Sequence, residues 1–360
     1  MHNESKDIRV WLLVGLAMIF FQIVLGGITR LTGSGLSITR WEIVTGTIPP
    51  LTDRGWQEAF GDYKKTPQYE LLNRGMSLRE FKFIYFWEYL HRLWARSLGI
   101  VFLIPLGFFM IKGKITKWLF RRLLIIFLLG CVVGVFGWLM VSSGLVDRPW
   151  VNAYKLAIHL VLALILLSYL LITYLKTCHI EIWQVSKTFR IGLTVIISLT
   201  IIQVVLGGLM AGMKAALLYP TFPDYHGFSF PQVLVHNSSF FVEYLIQYDS
   251  NPWIVAWIQV LHRTVAYILI ISMLIFNIKT YIEWKKERKL IWLYIWNIVL
   301  ITQISLGIIT LINSIGKIPV TWGVLHQAMG ILYLSLCLYF IYITSEKRDL
   351  KEFFQGKSQK

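Results

Sequence analysis

Only three of the 360 residues are cysteine. Cys131 and Cys337 fall inside apolar runs and Cys178 in a short basic connection. The segments read below as lying outside a membrane therefore have no thiol pair to staple them, and packing or a ligand must order them. Acidic residues are also scarce, 19 Asp and Glu against 35 Lys and Arg. No basic segment comes with a nucleic-acid recognition fold, so the net charge of +16 does not point to DNA or RNA. The first apolar run lacks a small-residue cleavage site, so it reads as a retained span and not as a secretory signal.

What the chain has is hydrocarbon. It is 56% hydrophobic with mean hydropathy +0.62, far above an ordinary soluble domain. Runs of the length needed to cross a bilayer, about 20 residues, recur at 11–30, 84–111, 122–141, 153–175, 191–211, 254–278, 291–311 and 321–343. The expectation is an all-α integral membrane protein of eight transmembrane helices.

Charge orients them. "KGKITKWLFRR", "KTCHIEIWQVSKTFR", "KTYIEWKKERK" and the tail after Ser345 are rich in Lys and Arg. By the positive-inside rule they face the cytoplasm, with both termini. The net positive charge is then mostly orientation and attraction to the lipid surface. The segment from about 31 to 83 is also basic yet falls outside, which long loops tolerate because they translocate largely regardless of charge. A second outer segment runs from about 212 to 252. Both carry turn-formers, in "GTIPPLTDRG" and "YPTFPDYHG".

The chain repeats itself. "QIVLGGITR" (Gln22 to Arg30) returns as "QVVLGGLMA" (Gln203 to Ala211), and "EYLHR" (Glu88 to Arg92) as "QVLHR" (Gln259 to Arg263). "VGVFGW" and "QISLGI" correspond more weakly, and "YKLAIHL" and "TWGVLHQ" place His159 and His326 in the fourth and eighth spans. Residues 1–178 and 179–360 thus read as two tandem four-helix halves. Each has an even number of spans, which implies a pseudo-twofold axis along the membrane normal. The glycine pairs suit close helix packing, and also leave room for a flat ligand.

His91, His159, His262 and His326 each lie about 6–9 residues inside the outer end of an even-numbered span, roughly 9–14 Å deep. A lone intramembrane histidine is an ordinary hydrogen-bonded packing residue. Four at matched depth, paired by a repeat, point instead to two bis-histidine axial sites for haem iron. A zinc site would need more ligands converging on one point.

The halves differ at one position. Glu88 stands one turn before His91, where the second half has Gln259 before His262. An intramembrane carboxylate is costly. Glu88 either orients His91 or pairs with Arg92, or it acts as a proton acceptor or cation stabiliser beside a bound macrocycle. Arg92 and Arg263 suit either haem propionates or interfacial anchoring.

These stretches, with "GGITRLTGSGLSITRWEIVTGTIPP", "LREFKFIYFWEYLHRLWARSLG", "GWLMVSSGL", "VLHRTVAYIL" and "IPVTWGVLHQAMG", resemble the haem A synthase family, from the first span to the eighth. Its members oxidise a methyl group of haem O to a formyl group. The resemblance implies that His91 and His159 flank the substrate haem O and that Glu88 is the catalytic acidic residue. It implies that His262 and His326 hold a haem B cofactor. The expected partners are haem O, the haem O synthase that supplies it and membrane lipid, with a homo-oligomer left open. The expected location is the cell (inner) membrane, with the haem sites toward the outer face. Many bacterial members carry a cysteine pair in the first outer loop. This chain lacks it and has a longer loop, which resembles the mitochondrial-type branch.

Two other classes remain open at this level. A dihaem b-type electron carrier wants haems near both membrane faces, whereas these histidines cluster toward one. A secondary transporter suits the repeat and the intramembrane ionisable groups.

Overall fold

The computed structural model describes residues 4–39, 45–145, 148–236 and 241–345. His2, part of the first family-like stretch (40–44) and the basic tail after Ser345 lie outside them. Eight of the described helices are long and apolar enough to cross a membrane. They are α1 (Lys6–Leu31), α4 (Leu78–Ile111), α5 (Lys117–Ser142), α6 (Ala153–Thr177), α7 (Lys187–Gly212), α10 (Pro252–Trp284), α11 (Leu290–Ile312) and α12 (Val320–Thr344). Four short helices lie between them: α2 (Asp53–Tyr63), α3 (Pro67–Leu72), α8 (Gln232–His236) and α9 (Glu243–Ile246). No β-strand occurs among the described residues.

Polar caps set where the long helices begin. Ser77 and Glu80 form a reciprocal capping box at α4, and Thr116, Asn152, Ser186 and Asn251 accept from the first turns of α5, α6, α7 and α10. The capping box explains why α4 starts at Leu78, a turn and a half before the apolar run. Those extra turns carry the first outer segment, where Phe60, Tyr63, Phe81 and Ile84 form a small core of their own.

The helices α1, α6, α7 and α12 pack on one another at the centre, with α4 on α1, α5 on α6, α10 on α7 and α11 on α12 outside. The second glycine of each pair serves this packing. A Cβ on Gly27 would overlap Gln327 of α12, whose amide donates to the Ile23 carbonyl at 2.8 Å. A Cβ on Gly208 would come within 3.2 Å of Ala157 in α6. The Arg30 side chain adds a tie, donating to the Ala211 and Gly212 carbonyls at 2.9 and 3.1 Å. The last carbonyls of α7 thereby gain a cationic donor.

Candidate functional site

All four histidines lie toward the N-terminal ends of α4, α6, α10 and α12. His159 and His326 occupy the second turn of their helices, whereas His91 and His262 sit about three turns in, because α4 and α10 start further out. His91 is within electrostatic reach of His159, and His262 of His326. The pairing therefore falls within each half.

Each imidazole rests on a glycine of the membrane-spanning helix preceding its own. An added Cβ would stand 3.2 Å from His91 Cε1 at Gly26, 3.1 Å from His159 Cε1 at Gly137, 3.5 Å from His262 Cε1 at Gly207 and 2.8 Å from His326 Cε1 at Gly307. The first glycine of each pair thus makes room for a histidine ring while the second packs helices, as the close-packing reading expected. The four matched contacts fit a tandem repeat.

The ring nitrogens are arranged for an acceptor role. Nδ1 of His326 lies 3.0 Å from the Gln303 carbonyl, so Nδ1 carries the proton and Nε2 keeps its lone pair. The Gln203 amide nitrogen approaches Nε2 of His262 at 3.2 Å, and that of Gln22 approaches the His91 ring nitrogens at 3.2 and 3.3 Å. Nδ1 of His262 is buried without a hydrogen-bond partner, and the His159 ring is directed to the Val133 backbone. Among the described residues no three His, Cys, Asp or Glu side chains converge as a bare metal-ion site.

Glu88 is buried, at 2% exposure. It does not orient His91 through any described hydrogen bond. Its Oε2 accepts from the Ser37 amide at 2.7 Å, the Ser37 hydroxyl at 2.7 Å and the Ile38 amide at 2.9 Å, while Oε1 takes Arg92 at 2.6 Å. Arg92 also donates to the Ile38 carbonyl at 3.1 Å. The segment reaches Glu88 because Gly33, at φ 70°, ends α1 in a left-handed turn that closes with the Ser34 amide on the Thr29 carbonyl at 2.9 Å.

In the other half Gln259 and Arg263 hold the second outer loop by its carbonyls. Gln259 donates to Tyr219 at 2.8 Å, and Arg263 to Tyr219, Thr221, Pro223 and Asp224 at 2.8–3.4 Å. The Glu–Gln difference therefore matches loop polarity: one loop presents donors to a carboxylate, the other a carbonyl to an amide. Sequence reasoning had no sign of Ser37 and Ile38 as partners. Their contact with Glu88 spans about fifty positions and is made largely by backbone amides, which any residue type provides.

A family model described as "Cytochrome oxidase assembly protein" matches residues 9–338. The chain belongs to this family. Curated relatives named "Heme A synthase" match over nearly their whole length. That of Pelagibacter ubique is 39% identical over 95% of this chain and 98% of its own. That of Flavobacterium psychrophilum is 35% identical over 94% and 98%, and that of Rickettsia bellii 37% over 93% and 97%. Family membership thus extends across all eight spans, including both histidine pairs.

Proposed function

We propose that the chain is a haem A synthase, an oxidoreductase that converts a methyl group of haem O to a formyl group, for use in cytochrome oxidase. The observation that carries the site assignment is the arrangement of each histidine against a glycine, with its partner in the same half. On this reading the N-terminal half, 1–178, binds haem O through His91 and His159. The C-terminal half, 179–360, holds haem B through His262 and His326.

The C-terminal residues fit such a resident group. His326 has its tautomer fixed by Gln303, His262 has a buried, unpartnered Nδ1, and Gly207 and Gly307 leave space at the rings. Bound there, haem B supplies a one-electron redox centre. In the N-terminal half the protein fixes the position of the substrate methyl and supplies a field. Two successive hydroxylations, each adding one oxygen and passing two electrons to an external electron acceptor, would take the methyl to a geminal diol, which loses water to the aldehyde.

Glu88 enters as a fixed anion. Four donors already occupy its two oxygens, which suits stabilising positive charge that develops at the methyl carbon better than taking up a proton. Arg92 and Ser37 hold that anion in place. Arg263 is engaged by four loop carbonyls and acts as an anchor of the second outer loop. The membrane is the cell membrane, with both termini cytoplasmic and the histidines toward the outer face. The Lys114–Asp7 ion pair (3.0 Å) and the Trp183–Ile343 backbone bond (2.7 Å) gather the N-terminus, two inner connections and the end of α12 at one side.

The test is spectral. The purified chain should show a low-spin bis-imidazole haem spectrum, and His262→Ala or His326→Ala should deplete haem B while haem O still binds the other half. Full haem content in all four single histidine-to-alanine variants would refute the assignment.

A further inference from the structure

The α4–α5 turn lies at the end of the spans opposite the histidines and is crowded with cations: Lys112, Lys114, Lys117, Arg121 and Arg122. Some of these are used within the protein. Lys114 pairs with Asp7 at 3.0 Å, beside Thr116, the N-cap of α5, which donates to Glu4 at 2.9 Å. Arg122 turns inward, donating to Thr173 at 2.8 Å with its guanidinium 4.3 Å from the centre of the Tyr169 ring. Lys117 and Arg121, one turn apart on α5, are both exposed and form no ion pair with any described residue.

These two cations line an open cleft of about 360 Å³ together with Met110, Ile115 and Phe120. Met110 and Phe120 are 49% and 41% exposed, on helices long and apolar enough to cross a bilayer. The cleft therefore sets positive charge where the spans end, beside side chains that face hydrocarbon. The positive end of the α5 dipole adds to that charge.

The repeat supplies an internal comparison. Aligning α5 with α11 on Gly137 and Gly307 sets Glu287 at the place of Lys117 and Ile291 at that of Arg121. Glu287 pairs with Lys289 at 2.8 Å. Aligning α4 with α10 on His91 and His262 sets the buried Trp284 at the place of Gly113. Trp284 packs on Trp183 of the α6–α7 connection, with ring centres 5.6 Å apart, and Glu283 accepts from the Ser186 amide and hydroxyl at 3.2 and 2.9 Å. The second half thus closes this corner with its own chain, whereas the first half presents two cations beside an apolar wall.

We propose that the cleft at the α4–α5 turn binds an anionic phospholipid, its phosphate between Lys117 and Arg121 and an acyl chain against Met110 and Phe120. A soluble phosphate would meet the charge and leave the apolar wall unused. A zwitterionic lipid would bring an ammonium group toward two cations. An anionic diacyl lipid matches both parts of the cleft. The site lies at the other end of the spans from the haem chemistry and is independent of it.

The test is lipid retention. The full-length chain is purified in detergent, stripped of lipid, and mixed with dioleoyl phosphatidylglycerol or dioleoyl phosphatidylcholine. Native mass spectrometry counts the lipids retained, and a monodisperse elution profile reports that each variant is folded. Phosphatidylglycerol should be retained in preference to phosphatidylcholine. Lys117→Gln/Arg121→Gln should lower its affinity by about tenfold or more, the scale for two cations at a lipid surface. Lys286→Gln/Arg288→Gln removes the same charge from exposed positions in the α10–α11 turn and should leave that affinity nearly unchanged. Equal losses in the two double variants, or no preference between the lipids, would reduce the effect to general attraction and overturn the proposal. Thermal stabilisation by inorganic phosphate equal to that by phosphatidylglycerol would overturn it too, because that ligand has no acyl chain.

Discussion

Glu88 and Arg92 meet at 2.6 Å across one turn of α4 and close on the two ends of a single peptide residue. Glu88 takes the Ile38 amide hydrogen at 2.9 Å and Arg92 donates to the Ile38 carbonyl at 3.1 Å. The pair thus fixes a loop as well as a charge. Glu88→Gln changes both: one acceptor oxygen becomes an NH2, which cannot accept from Ser37 and Ile38 or, with the amide turned, from Arg92. Leaving a buried donor unpaired costs about 1–3 kcal/mol. The expected outcome is haem A formation reduced about 10²-fold or more, together with faster proteolysis of the first outer loop. Ser37→Ala removes one hydroxyl donor and keeps the carboxylate, so its loss of activity should be much smaller. Haem A formation at the unsubstituted rate in Glu88→Gln would remove Glu88 from the chemistry.

The glycines facing the histidines make a graded prediction. A Cβ at Gly207 would sit 3.5 Å from His262, an ordinary contact, whereas one at Gly307 would sit 2.8 Å from His326. Gly207→Ala should retain haem B, and Gly307→Ala should displace the His326 ring and lower haem B content severalfold. The measurement is haem per polypeptide after purification.

Much of this was legible in the sequence. Apolar length gave eight spans, and the repeat singled out four histidines from eight. Both signals are local, so they survive without knowledge of packing. The polarity of the two outer loops was not legible, because Ile38 and Tyr219 act through backbone groups and Ser37 does so in part. Nor was the outward extension of α4, which starts at Leu78 and not at 84. A hydropathy run ends where the membrane does, whereas a helix ends at its cap, here Ser77 for α4.

The halves are tied across the centre by Arg30, which donates to the Ala211 and Gly212 carbonyls. Arg30→Ala should lower stability by about 1.5–3 kcal/mol, the range for hydrogen bonds to a charged group. Thermal unfolding in detergent checks this, and an unchanged midpoint would mean that water replaces the guanidinium without loss.

Sidedness is read by labelling. Leu71 in α3 is 67% exposed and lies in the first outer segment. Leu71→Cys should react with a membrane-impermeant thiol reagent added to intact cells. Reaction only after the cytoplasmic face is opened would invert the topology and place the histidines toward the inner side.

The most direct measurement is the pigment made by the chain. Membranes that contain haem O and haem B but no haem A are supplied with this protein, and the haems are extracted and separated. The account predicts that haem A appears at the expense of haem O. It also predicts that His91→Ala and His159→Ala abolish haem A although haem B remains bound. Abundant haem O with no haem A, in membranes where the protein is present and carries haem B, would contradict it.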